Sequence, residues 1–401
     1  MSNRKLGIAI IGLGGAVGTT IVAGIALLKK GKIEKTGLPL ANLPENLTAD
    51  LVAYENLVFG GWDLHAANLA SAAEEHDVLT HKQFVAVEAE LRKIKPWRAV
   101  GNKDFLVRVE GENIFSDNSH RAVIDTIRQD LRDFRTREKC DEVVVINLGS
   151  TEKLADEGNE IFNSIAGFET ALDENSKEIS PAMLYAYAAI SEQIPYGNFT
   201  PSVAADIPAL VEFAEKQRVP VAGKDGKTGQ TMIKTVLAPA FKTRALKVEG
   251  WYSTNILGNR DGLALSHEDS LASKIKTKGS VLDDILGYTV EDHLVDIRYY
   301  RPRGDNKEAW DNIDLTGFLG QPMQLKINFL CRDSILAAPL AIEIARLLDL
   351  AKRRKSYGAQ EQLSVFFKLP MTKNDRNPEH ALHRQEEMLL DWLKKVMVDK
   401  S

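Results

Sequence analysis

With 401 residues, 44% of them hydrophobic and 27% charged, the chain is too long for one small domain and long enough to bury a large core. A formal net charge of −5 excludes the basic footprint of a nucleic-acid or anionic-membrane binder, so any anionic ligand needs a local cluster of cations. The only cysteines, Cys140 and Cys331, exclude a disulfide framework and a cysteine-rich metal pattern, as expected of reduced thiols in the cytoplasm.

The first element is a buried strand, Leu6–Ile11, too short for a signal-peptide core or a membrane span and ended by glycines. No later stretch is long and apolar enough to span a membrane, which predicts a soluble, cytoplasmic protein. A helix from about Ala16 to Leu28 follows the glycine turn. After a loop containing Pro39 and Pro44, a second buried strand, Leu57–Phe59, runs into Gly60, Gly61, Trp62 and Asp63. Residues 64–76 and Arg121–Arg137 carry helical spacing. Glu142–Leu148 contains Val143, Val144, Val145 and Ile146, a strand too apolar for a wet face and suited to a parallel sheet covered on both sides. Pro181–Ile194 reads as a helix and Val219–Ala222 as a strand. Strands and helices that alternate in this way predict a doubly wound α/β domain of Rossmann type.

The character changes after about Pro239. Val248–Ile256, His293–Tyr300 and Met323–Phe329 read as strands with few helices between them, which predicts a smaller, sheet-rich α+β domain. Ala337–Leu350 and about Pro378–Met397 are helical again, which predicts a return to the first domain. Residues 1–239 and 334–401 would then form the dinucleotide-binding domain, with 240–333 inserted before the C-terminal helices. The charged run Lys352–Lys355 reads as a solvated helix end.

Between the first strand and its helix lie Gly12, Gly14, Gly15, Ala16, Val17, Gly18 and Thr19. Glycines there let the backbone turn tightly and approach a pyrophosphate, and the helix N-terminus offers free N–H groups. The alternative is a tight structural turn. Asp63 closes the second strand, where a carboxylate would bind the adenosine ribose hydroxyls and repel the 2′-phosphate of NADP. It lies farther from the glycines than the usual roughly 20 residues, a gap filled by the proline-containing loop. Its alternative role is a helix N-cap.

Gly12–Thr20 is joined by five further stretches: Phe59–Asp63, Asn147–Glu152, Ala222–Thr231, Asn255–Gly262 and Gly304–Lys307. Together these resemble the myo-inositol-phosphate synthase family, and the likeness continues through Ser273–Asp284, Cys331–Pro339 and Leu363–Pro370. It is collinear over nearly the whole chain. Without the long N-terminal extension of eukaryotic members, the chain looks like a compact bacterial or archaeal form. Lys224 and Asp225 replace two acidic residues frequent in the family, and Arg260 stands where many members carry asparagine.

The resemblance implies an NAD-dependent enzyme of inositol and phospholipid biosynthesis. It would oxidise C5 of glucose 6-phosphate, remove a C6 proton, close C6 onto C1 in an aldol step and reduce C5 again, giving myo-inositol 3-phosphate. Enolate and alkoxide charge call for fixed cations, and Lys274, Lys278, Lys307 and Lys368 stand at the matching positions. If Ser273–Ile285 is helical, Lys274 and Lys278 share a face and Lys276 points elsewhere. Lys368 would move the C5 hydroxyl proton, Lys278 and Lys307 would hold the charge at O5, and Lys274 would serve O1. Asp333 would be their counter-charge or, alternatively, an N-cap of the helix from Ile335. Gly149, Ser150 and Thr151 would touch the cofactor; Asp225 and Asp261 would lie near the nicotinamide or a cation, or else serve turns. Asn255 and Asn259 would join the lysines in holding substrate. The family implies a divalent metal or a monovalent cation, although the eight histidines show no ligand spacing. It also implies a homotetramer built through the smaller domain. The rival readings are a net NAD(P)-dependent dehydrogenase or reductase of similar layout, and a non-catalytic NAD-binding regulatory protein. A lysine set spread over three segments speaks against the second.

Overall fold

The computed structural model describes residues 4–106, 110–115, 119–258, 281–373 and 376–398. Six parallel strands form a first sheet: β1 (Leu6–Ile11), β2 (Leu57–Trp62), β3 (Glu142–Asn147), β4 (Tyr196–Asn198), β5 (Pro220–Ala222) and β10 (Gly358–Ala359), in the order β10-β5-β4-β3-β1-β2. β1 and β3 are buried along their whole lengths, as strands without a polar face must be.

Alternate residues of β1 feed two different cores. Ala9 and Ile11 join Ile127, Leu131 and Phe134 of the helix His120–Glu138. Ile8 and Ile10 join Ile21 and Ile25 of α1 (Ala16–Lys29) and Ile344 and Leu348 of the helix Asp333–Arg353. Helices therefore cover both faces, and truncating a central residue such as Ile8 to alanine should cost about 2–5 kcal/mol.

Several element ends differ from the sequence expectation. The helix expected over 64–76 begins only at Leu69, because the Asn68 side chain accepts from the N–H groups of Ala70 and Ser71. His81–Leu91 is a further helix, opened by a capping box in which Thr80 and Gln83 satisfy each other's backbone N–H groups. The last helix starts at Leu382, not Pro378.

A second sheet holds β6 (Lys247–Leu257), β7 (Asp292–Tyr299), β8 (Asn306–Thr316) and β9 (Pro322–Arg332) in the order β7-β6-β8-β9. β6 and β7 run parallel, and the other two pairings are antiparallel. One face packs Trp251, Ile313 and Leu315 against Ala238 and Phe241 of the helix Gly229–Thr243, and against Val281 and Leu282. The opposite face carries Tyr252 edge-on to Trp310, with Leu330 60% exposed. The helix Asp333–Arg353 follows β9 directly and packs on α1 and β3, and the short strand β10 pairs with β5 in the first sheet.

Candidate active site

A cavity of about 430 Å³ opens where the C-terminal ends of the first sheet meet the start of β8. Ligands of doubly wound folds bind at this edge, because the strand ends leave a crevice and the following helices aim their N-termini into it.

The glycine turn forms one end. Gly12 adopts φ +82°, and a Cβ there would come within 2.9 Å of the Leu148 carbonyl oxygen. At Gly18 an added Cβ would meet the Leu13 carbonyl oxygen at 2.5 Å. Among the described residues, Gly15 at the N-cap offers α1 no side-chain cap and no acidic residue lies in its first turn, which leaves its N–H groups to an anion. Gly12, Gly15, Ala16, Val17 and Gly18 line the cavity, whereas Gly14 and Thr19 support the turn from behind. Gly14 N–H donates to Asp63 Oδ2 at 2.8 Å, and the second oxygen of Asp63 accepts from His65 N–H at 3.0 Å. Asp63 thus caps no helix; Asn68 does that. Its carboxylate keeps lone pairs toward the cavity. His76, also lining it, approaches the Gly14 carbonyl oxygen with Nε2 at 2.9 Å, a contact that requires the proton on that nitrogen.

Gly149, Ser150 and Thr151 line the middle of the cavity. Beneath them Glu152, 5% exposed, accepts from Ala182 N–H at 2.9 Å, and burial pushes its carboxyl up to about 7 against the pull of Ser180 and Ala182. Glu152 closes a recognised sequence stretch, yet nothing local marked it as a cavity residue.

The far end is cationic. Residues 224–227 pair with 366–369 in antiparallel fashion: Lys227 N–H donates to Phe366 O, Lys368 N–H to Asp225 O and Leu369 N–H to Lys224 O. This short ladder sets Lys368 against Asp225, with Nζ and Oδ1 2.5 Å apart and both side chains nearly buried. Lys307, at the start of β8, lies 3.3 Å from Asp333 Oδ1, which also accepts from Thr228 Oγ1 at 3.0 Å. Asp333 is the first residue of its helix, one position after the N-cap residue Arg332. An added Cβ on Gly229 would lie 3.6 Å from Lys307 Nζ, so this ammonium stands beside the N-terminus of the helix Gly229–Thr243. Asp305, missed in the sequence although it belongs to the Gly304–Lys307 stretch, lines the cavity and accepts from Ser334 Oγ at 2.5 Å.

Asn255 does not line the cavity. It is 2% exposed, its amide donates to Gln230, and its Oδ1 has no partner among the described residues. Lys224 also stays outside: burial alone would lower its pKa, but Asp206 at 2.6 Å and Glu157 at 3.6 Å hold it above the ordinary value. The expected site residues Asn259, Asp261, Lys274 and Lys278 lie outside the described residues. Among the described residues no group of three His, Cys, Asp or Glu side chains could hold a metal ion.

An uncapped glycine turn facing two carboxylate-held lysines across one cavity places the chain among the dinucleotide-dependent α/β enzymes. Comparison with known proteins narrows this: the family model described as Myo-inositol-1-phosphate synthase matches residues 6–394, and the chain belongs to that family. It is 43% identical over 417 residues to inositol-3-phosphate synthase 1 of Bacteroides thetaiotaomicron, covering 99% of this chain and 96% of the relative. Inositol-3-phosphate synthase of Saccharomyces cerevisiae is 29% identical, over 98% of this chain and 85% of the relative. The crystal structure of inositol-3-phosphate synthase from Caenorhabditis elegans superposes with a TM-score of 0.91 at 25% identity, covering 98% of this chain and 86% of that one.

Proposed function

We infer that this chain is an inositol-3-phosphate synthase that converts glucose 6-phosphate into myo-inositol 3-phosphate without net oxidation. The observation that carries this reading is the pair of carboxylate-held lysines, Lys368–Asp225 and Lys307–Asp333, on the cavity that the glycine turn opens. Bound NAD would supply the hydride chemistry at C5. Gly12, Gly15 and Gly18 would leave room for its pyrophosphate at the N-terminus of α1, and Asp63 would hold its adenosine ribose.

Lys368, as the free amine, takes the C5 hydroxyl proton and becomes the ammonium that the Asp225 carboxylate then holds in place. Lys307, fixed by Asp333, stabilises the charge that grows on O5 as the C6 proton leaves. The helix Gly229–Thr243, which its N-cap residue Thr228 does not cap, turns its first N–H groups toward the same end, chemistry suited to a phosphate dianion. Lys278 is assigned to O5 and Lys274 to O1 in ring closure by the family resemblance.

The division into 1–239 with 334–401, and 240–333, belongs to this proposal, supported by the return of β10 to the first sheet. So does a homotetramer through the second sheet, whose outer face and rim leave Phe318 89% and Leu330 60% exposed. Sedimentation should give four chains per particle. We place the enzyme in the cytoplasm, where the free thiols of Cys140 and Cys331 are ordinary.

The deciding experiment incubates the protein with glucose 6-phosphate and NAD⁺, identifies the product by phosphorus NMR and follows absorbance of reduced cofactor. Inositol 3-phosphate without accumulated NADH is expected. Stoichiometric NADH would make the chain a net dehydrogenase instead.

A further inference from the structure

A second cavity, of about 180 Å³, shares backbone with the first: Lys227 and Met232 line it, while Thr228, between them in sequence, lines the active-site cavity. Its walls are apolar, formed by Leu40 and Leu43 from the loop after α1, Leu340, Phe366 and Leu389. Among the described residues two charged ones line it. Glu386 is exposed and solvated, and Lys227 is 4% exposed.

A buried ammonium is costly without a counter-ion. Lys227 donates to the side-chain oxygen of Gln385, a neutral partner, and no carboxylate forms an ion pair with it among the described residues. Burial pulls its pKa down to about 7. The titratable groups facing it are Glu386 across the cavity and His380, which is buried and turned toward Asp284 at 3.5 Å. An apolar chamber ending in an uncompensated cation is complementary to an amphiphile with an anionic head. A comparable engineered apolar cavity of about 150 Å³ holds benzene, so the tail it admits is short.

We propose that this cavity binds a small carboxylate with an apolar tail of about six to eight carbons, the carboxylate pairing with Lys227. The tail covers Leu40, Leu43, Phe366 and Leu389, and the head supplies the charge that Gln385 does not. Because the bound head favours the ammonium form, binding takes up a proton wherever free Lys227 is neutral.

The probe is octanoate, titrated calorimetrically into the full chain at pH 6.5 and 8.5 in buffers of different ionisation enthalpy. Binding should be roughly tenfold or more tighter at pH 6.5, with close to one proton taken up per ligand at pH 8.5. Lys227→Met should lose both the pH dependence and most of the octanoate affinity while keeping octanol affinity. Leu389→Trp, which fills the chamber from another wall, should lose both ligands. Absence of octanoate binding overturns the proposal, as does pH-independent binding or equal affinity in Lys227→Met. Because the readout is binding and not turnover, it stands apart from any result on inositol synthesis.

Discussion

The two sheets contribute to one cavity by different means. The six-stranded sheet offers backbone: a turn with no room for side chains, free N–H groups at a helix start and a single carboxylate, Asp63, tied to that turn. The four-stranded sheet offers a charged side chain, Lys307 at the start of β8, placed by Asp333, and it faces the Lys368–Asp225 pair carried by the segments after β10 and β5. A backbone site holds the part of the reaction common to many enzymes. A side-chain site sets which reaction occurs, because only placed charges distinguish one developing oxyanion from another.

The largest effect should come from the side-chain half. Lys307→Ala removes a cation facing developing charge and Lys368→Ala removes the group that takes the C5 hydroxyl proton, each a loss of about 10²–10³ in turnover, with NAD⁺ affinity nearly unchanged. Parallel kinetics and cofactor titration check this; an equal loss of NAD⁺ binding would erase the division of labour between backbone and charged side chains.

Next in size is the backbone half. Gly18→Ala drives a Cβ against the Leu13 carbonyl oxygen, so the turn must open. A cost of about 1–3 kcal/mol would weaken NAD⁺ binding roughly 10- to 100-fold. Turnover at saturating NAD⁺ should change little, and the unfolding midpoint should report the remaining strain.

Asp63→Ala should act on selectivity alone, narrowing the preference for NAD⁺ over NADP⁺ by about tenfold. Equal affinity of the unaltered protein for both cofactors would remove Asp63 from the ribose.

The smallest effect tests a lysine beside the second sheet that touches neither half of the site. Lys234 is 2% exposed, lies 2.6 Å from His293 Nε2 and stands over the Trp251 ring. Burial depresses its pKa to about 8, with Asp311 opposing. Between pH 8 and 10 the unfolded chain therefore holds a proton that the folded chain has released, and stability rises with pH. Lys234→Met should remove about 1.4 kcal/mol per pH unit of that rise, measured by denaturant unfolding at several pH values. An unchanged slope would mean that Lys234 stays charged in the fold.

How far each half could be read in advance follows from the range of the interactions that build it. The glycine turn was legible because strand, turn and helix occupy Leu6–Lys29, and their glycines answer local steric demands. The start of the helix at Leu69 was misjudged although Asn68 was visible, since helical spacing upstream looked the same without its hydrogen bonds. Lys307 and Lys368 drew notice only through family resemblance; Glu152 and Asp305 drew none, because a buried acid looks like any other acid until its surroundings are known.

The sequence by itself determined the alternation of strands and helices, the apolar β1 and β3, the sheet-rich stretch after Pro239 and the cofactor turn. These rest on periodicity and sterics within a few residues of each position. Only the tertiary structure decided that Lys368 meets Asp225 across 143 residues, that Asp333 links Thr228 to Lys307, and that Lys227 faces an apolar chamber with no ion-pair partner among the described residues. Charge pairs and burial depend on distance in space, and separations that long in sequence are closed by the packing of both sheets, not by any local preference.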